Sequence, residues 1–228
     1  MITSSTTKAQ SAVTTGKRGA FIVLEGVDRC GKTTQSGLLV KHLISLGIAA
    51  MSIRFPERTT AVGSLINQYL QSKSDLNDHA IHLLFSANRW EAVDEMKRKL
   101  NSGTTLVCDR YAHSGVAFSS AKTKKISIDW CKKSDIGLLA PDAVIFLDMP
   151  PEEAEKRGGY GNERYEKQDM QRRVRQKFEE LKIADEGRIP WHIIDAAKSV
   201  EDVTSDITVI LDKIVEEVAD KPLEELWN

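Results

Sequence analysis

Several things are scarce in this chain of 228 residues, and each shortage removes a class of function. There are three cysteines, Cys30, Cys108 and Cys131, an odd number with no C-x-x-C spacing. That excludes a disulfide framework and a thiolate zinc site, and points to a reducing compartment, so we expect a cytoplasmic location. No apolar run approaches the roughly 18 residues that cross a bilayer, and no apolar leader precedes the first strand, so a membrane is not an expected partner. There is no excess of positive charge, with 32 Lys and Arg against 33 Asp and Glu, and hence no general attraction for nucleic acid. No H-E-x-x-H spacing occurs, and no Asn-Lys dipeptide that could begin a guanine-reading N-K-x-D segment. Any anion site must therefore be local.

One local site is plain. Gly26-Val27-Asp28-Arg29-Cys30-Gly31-Lys32-Thr33 fits G-x-x-x-x-G-K-[ST], a pattern that chance would place in a chain of this length about one time in a hundred. It lies between an apolar run, Ala20 to Glu25, read as a buried strand, and an amphipathic segment, Thr33 to Leu46, read as a helix. Strand, glycine loop and helix together form a cradle for phosphate. The glycines let backbone N–H groups turn inward, the helix N-terminus adds partial positive charge, Lys32 neutralises phosphate oxygens, and the Thr33 hydroxyl can ligate magnesium.

Further apolar runs at Ala49 to Phe55, Thr104 to Cys108, Asp142 to Leu147 and Trp191 to Ile194 read as strands. Segments around 61–71, 78–100, 114–121, 127–135, 151–157, 167–184 and 200–218 read as helices between them. This alternation predicts an α/β fold with a five-stranded parallel sheet covered on both faces and ligands at the carboxyl ends of the strands. The length suits one domain, 19–228. Residues 1–18 are rich in Ser and Thr without an acidic residue, and we expect a disordered tail, with an organelle transit peptide as the alternative. Charged groups follow the predicted strands, in Phe55-Pro56-Glu57-Arg58 and Asp109-Arg110-Tyr111. A glycine-rich, charged run from Lys156 to Tyr165 interrupts two helical stretches and is expected to act as a short lid over about 156–166.

Taken together, the motifs resemble thymidylate kinases of the eukaryotic and poxviral branch, within the nucleoside monophosphate kinases that carry a phosphate loop. The matching pieces are V-L-E-G-V-D-R-C-G-K-T-T-Q (Val23–Gln35), R-F-P-E-R (Arg54–Arg58), H-L-L-F-S-A-N-R-W (His82–Trp90) and D-R-Y-A-H-S-G-V-A-F (Asp109–Phe118). To these are added S-x-D-W-C-K at Ser127–Lys132, R-G-G-Y-G-N-E-R-Y-E from Arg157, D-A-A-K-S at Asp195–Ser199 and the ending K-P-L-E-E-L-W. The resemblance implies a three-layer α/β/α fold, a homodimer, and Mg2+-dependent transfer of the ATP γ-phosphoryl group to dTMP. It implies that Gly26, Arg29, Cys30, Gly31, Lys32, Thr33, Thr34, Arg157 and Lys198 bind ATP. Arg29 would be a built-in arginine finger, and Thr33 and Asp109 would stand at magnesium. Arg58 and Arg110 would grip the acceptor phosphate, and Phe85 and Arg89 would stack on and hydrogen-bond the thymine. Asp28 would meet the nucleotide 3′-hydroxyl, while Phe55, Ser114, Gly115, Phe118 and Tyr165 complete the acceptor pocket. Catalysis would fall to Asp28, Arg29, Lys32, Asp109 and Arg110. The sequence departs from the family at His113, where an aromatic or apolar residue is more usual. A deoxynucleoside kinase or a CMP/UMP kinase would share the loop and sheet, but the R-F-P-E-R and L-F-S-A-N-R-W pieces favour thymidylate.

Overall fold

The computed structural model describes residues 17–157 and 163–228. Residues 1–16 of the expected tail and 158–162 of the expected lid lie outside the described residues. Five strands alternate with helices: β1 (Phe21–Glu25), α1 (Lys32–Ser45), β2 (Ala50–Arg54), α2 (Ala61–Leu70), α3 (Asp78–Trp90), α4 (Val93–Asn101), β3 (Thr105–Asp109), α5 (Ala112–Lys122), α6 (Ile128–Lys133), β4 (Ala143–Asp148), α7 (Pro151–Glu155), α8 (Gln168–Ala184), β5 (Trp191–Asp195) and α9 (Val200–Val218). All pairings are parallel and the spatial order is β2-β3-β1-β4-β5.

Alternation along the strands builds the three layers. Ile22 and Leu24 of β1 and Ile145 and Leu147 of β4 pack with Leu39 and Leu43 of α1 and Ile207 and Leu211 of α9. Phe21 and Val23 point the other way, to Met96 and Leu100 of α4, and Phe146 of β4 meets Phe178 of α8. Central β1 is buried along its whole length, whereas edge strand β2 is half open, in keeping with strands covered on two faces or on one. Because β1 pairs with β3 on one side and β4 on the other, the chain reverses its direction of winding there, and the crevice beyond the strand ends opens at that point.

Two boundaries differ from expectation. The predicted helix over 78–100 is two, broken at Glu91–Ala92. The buried Asn88 side chain accepts from the Glu57 backbone N–H (2.7 Å) and donates to the Glu57 carbonyl (3.1 Å), committing the end of α3 to the loop after β2. Val93, Met96 and Leu100 of α4 turn instead to the core. Arg18, expected in the tail, is bound into the domain: its Nη1 and Nη2 donate to the Asp142 carboxylate at 2.8 and 2.7 Å.

Candidate active site

The loop after β1 is arranged for an anion. Helix α1 starts at Gly31, whose φ of 101° lies in the left-handed region, and it has neither a side-chain cap nor an acidic residue in its first turn. Its first N–H groups and the positive end of its dipole therefore face outward without an internal acceptor. Lys32 is nearly buried, with Nζ donating to the carbonyls of Gly26 (3.2 Å) and Val27 (2.6 Å) and lying 3.3 Å from Cys30 Sγ. Arg29 also sits at positive φ, 64°, and its Nε donates to Glu166 at 2.8 Å. That hydrogen bond raises the guanidinium pKa against the smaller effect of burial. Arg157 bridges the loop to the segment after β5, donating to the carbonyls of Arg29 (3.1 Å) and Ala196 (2.9 Å).

The wall opposite comes from the ends of β2 and β3. Thr33 Oγ1 donates to Asp109 Oδ2 at 2.5 Å, which brings two hard oxygen donors together. Arg110, at φ 70°, turns its guanidinium over the Phe118 ring at 5.1 Å. It donates to the Gly26 carbonyl and to Ser114 Oγ, both at 3.1 Å, and to the Asp28 carboxylate. Burial disfavours its charge, but the carboxylates of Asp28, Asp109 and Glu25 outweigh that and raise its pKa. Arg58 donates to Asn67 (3.0 Å) and to both oxygens of Glu163 (2.8 and 3.2 Å).

At the base end, Arg89 of α3 is buried and held by Asp135 through Nε (3.2 Å) and Nη2 (2.6 Å). A planar fork pinned on one edge presents the other in a fixed direction, and Arg89 lines the cavity. Gly115 allows this approach, since a Cβ there would stand 2.8 Å from Arg89 Nη2. Phe85 is half-buried beside it, and the rings of Phe118 and Tyr165 lie 5.7 Å apart across the same space. Burial foremost, with a hydrogen bond to Tyr69, raises the Tyr165 phenol well above the ordinary tyrosine range.

These groups line one cavity of about 600 Å3, within the range of small-molecule sites. Of the residues expected at the site, all but three line it. Gly26 contributes its carbonyl to Lys32 and Arg110 from behind, and Cys30 is buried beneath the loop. Lys198 lies off this cavity: its Nζ is paired with Asp206 at 2.8 Å beside a separate groove between β5 and α9, where the next turns of α9 offer a carboxylate. His113, the departure from pattern, is buried away from the cavity with Nε2 2.9 Å from Asp185.

Some participants were not foreseen. Glu25, buried at the end of β1, accepts from the backbone N–H groups of Tyr111 (3.0 Å) and Ser114 (2.9 Å) and from Ser114 Oγ (2.5 Å), so it caps α5 from another strand. Gln171 of α8 accepts from the Asp28 N–H (2.9 Å) and donates to Asp28 Oδ2 (2.7 Å) and the Tyr165 carbonyl (2.9 Å). Arg54, Asp135, Glu163 and Glu166 complete the set. Arg54, Glu163 and Glu166 stand inside the motif runs quoted above, and the signal in each is a charged residue one or two positions from an expected site aromatic, Phe55 or Tyr165.

Comparison with known proteins gives consistent results. A family model described as thymidylate kinase matches residues 24–207. Thymidylate kinases from Danio rerio and Homo sapiens are 53% and 51% identical over 212 residues, in each case 93% of this chain and 99% of the other. A putative thymidylate kinase of Invertebrate iridescent virus 6 is 42% identical over 86% of this chain and 89% of its own. A solved structure of the Candida albicans thymidylate kinase superimposes with a TM-score of 0.83 at 37% identity, covering 93% of this chain and 100% of that one.

Proposed function

We propose a division of labour within the cleft from one premise: the chain belongs to the thymidylate kinase family and transfers the γ-phosphoryl group of ATP to dTMP, giving dTDP and ADP. Phosphoryl transfer asks for little covalent work from a protein, so position and charge carry the catalysis. The observation that carries the assignment of the donor end is the uncapped N-terminus of α1 with Lys32 behind it. The loop N–H groups, with Gly31, Thr33 and Thr34 at the helix start, hold the donor phosphates. Lys32 exchanges backbone carbonyls for phosphate oxygens, and Arg29 and Arg157 neutralise the charge that develops on the transferring group.

At the acceptor end, Arg58 and Arg110 hold the dTMP phosphate, whose oxygens suit planar guanidinium forks. Phe85 stacks on the base, Arg89 donates to a ring carbonyl, Phe118 and Tyr165 close around the deoxyribose, and Asp28 meets the 3′-hydroxyl. Glu163 and Glu166 keep Arg58 and Arg29 pointed into the cleft until phosphate takes their place.

The Thr33 hydroxyl and Asp109 carboxylate fit magnesium, a hard cation that takes one or two protein oxygens and completes its octahedron with phosphates and water. Among the described residues no group of three or more His, Cys, Asp or Glu side chains could hold a metal unaided, which suits an ion that arrives with the nucleotide. When bound, the ion neutralises phosphate charge and orients the donor.

We also read the protein as a cytoplasmic homodimer. Leu65 of α2 and Leu83 of α3 are about half exposed, which supports an apolar contact on that side. All three cysteines are free and buried, which supports a reducing compartment. No helix among the described residues is long and apolar enough to cross a membrane.

The test is a steady-state panel of monophosphate acceptors with ATP and Mg2+. Cytosine presents an amino group where thymine presents a carbonyl, so dCMP sets a donor against Arg89 and costs roughly 1–3 kcal/mol. The missing methyl of dUMP costs about 1 kcal/mol. The expected order of kcat/KM is dTMP, then dUMP, with UMP and dCMP far behind. A panel in which dCMP outperforms dTMP overturns the pocket assignment.

A further inference from the structure

Arg54 ends β2 directly opposite Asp109, the last residue of β3, in the parallel register of the two strands. Its Nη2 donates to Thr33 Oγ1 at 2.9 Å and its Nε lies 3.4 Å from Asp109 Oδ2. The guanidinium thus rests on the same two oxygens that fit magnesium, while Thr33 and Asp109 are drawn to 2.5 Å of one another. A six-coordinate magnesium bound to both oxygens at about 2.0–2.1 Å would hold them roughly 2.9 Å apart and would stand against a positive charge. Arg54 is well placed to yield, because its side chain is 57% exposed on a long flexible stem and the pair is only weakly held in solvent.

We propose that Arg54 is the resident counter-cation of the Thr33–Asp109 pair and that it keeps divalent metal off the nucleotide-free enzyme. This rests on the reading of Thr33 and Asp109 as magnesium ligands. A divalent ion must expel the guanidinium to reach both oxygens. Nucleotide phosphates lower that barrier, because they bring negative charge to which the released guanidinium can turn. Metal and nucleotide are thereby bound together, and the free enzyme does not hold a metal ion in a geometry that ATP must then rearrange.

The experiment is a titration with Mn2+, followed by the electron paramagnetic resonance signal of the free ion, on the nucleotide-free protein. Wild type, Arg54→Gln, Arg54→Lys and the double variant Arg54→Gln/Asp109→Asn are compared. Arg54→Gln should bind Mn2+ at least fivefold more tightly than wild type, Arg54→Lys should stay near wild type, and the double variant should lose the gain. Equal affinity in wild type and Arg54→Gln would overturn the proposal, as would a gain that survives in the double variant. The metal assignment is read separately, from Mn2+ binding in the presence of ATP. Asp109→Asn alone should weaken it, and if it does while Arg54→Gln shows no gain, only the counter-cation role falls. Because Arg54 is half exposed, its variants should melt with wild type, so a change in Mn2+ affinity is not a folding effect.

Discussion

Two connections in this molecule have the same topology and opposite contents. β1 leads through a loop to α1, and β5 leads through a loop to α9, each helix packing on the same face of the sheet. At α9 the chain satisfies its own helix end. Ser199 accepts from the Asp202 N–H at 3.1 Å, Glu201 and Asp202 supply negative charge in the first turn, and Lys198 is tied to Asp206. At α1 there is no cap and no acid, and the one nearby ammonium, Lys32, rests on backbone carbonyls. Both helices carry the same dipole, so the dipole does not make the site. What makes it is that the sequence places no side-chain acceptor and no acid at one helix end, and a serine cap with two acids at the other.

The largest effect that would test this contrast is at the two lysines. Lys32→Ala should lower kcat at least about 100-fold, since it removes charge that stabilises the transition state inside a water-poor cleft. Lys198→Ala should change kcat and the KM for ATP by less than about threefold. Similar losses in the two variants, measured by steady-state kinetics, would break the contrast.

Next comes Arg29, which stands at positive φ in the loop before α1. Arg29→Ala should lower kcat at least about tenfold with the melting curve unchanged, the behaviour of an interaction made chiefly in the transition state. A rise in KM with kcat intact would remove the arginine from the chemical step and leave it a binding role.

A smaller effect is expected where the open loop is braced from outside. The start of α9 is capped by its own Ser199, but Asp28 in the α1 loop is held by Gln171, 143 positions away. Gln171→Leu should leave the Asp28 N–H without its partner, costing about 1–3 kcal/mol of stability in chemical denaturation, and should raise the KM for dTMP. Unchanged acceptor kinetics in a destabilised variant would reduce Gln171 to a packing role. The smallest effect belongs to the cap itself. Ser199→Ala should cost about 1 kcal/mol and lower Tm by roughly 2–4 °C, with kinetic constants unaltered.

The two connections also show which parts of the molecule could be read before folding. Both loops, both helix starts and the strands before them were legible, because the features that define them lie within a few residues of one another. Glycine spacing, a lysine at the helix start and short apolar runs are all local, and backbone geometry acts on them locally. The same holds for the arginines and aromatics of the cleft, whose runs matched a known family in order and spacing and which line the cavity together with their neighbours from those runs.

The sequence by itself therefore determined the kind of fold, the phosphate loop and the identity of most groups that face the cavity. Only the tertiary structure decided what holds those groups in place. The register of β2 against β3 sets Arg54 beside Asp109, Glu25 caps a helix 89 residues away at Ser114, Asp135 pins Arg89, and Glu163 meets Arg58. It also turned Lys198 away from the cleft and broke the helix at Glu91–Ala92, where neither glycine nor proline stands to mark the break. The reason is physical. A side chain's own type sets what it can bond, but a carboxylate pairs with whichever cation the packing of the sheet and helices brings within about 3 Å, and that distance is fixed only when the whole chain has folded.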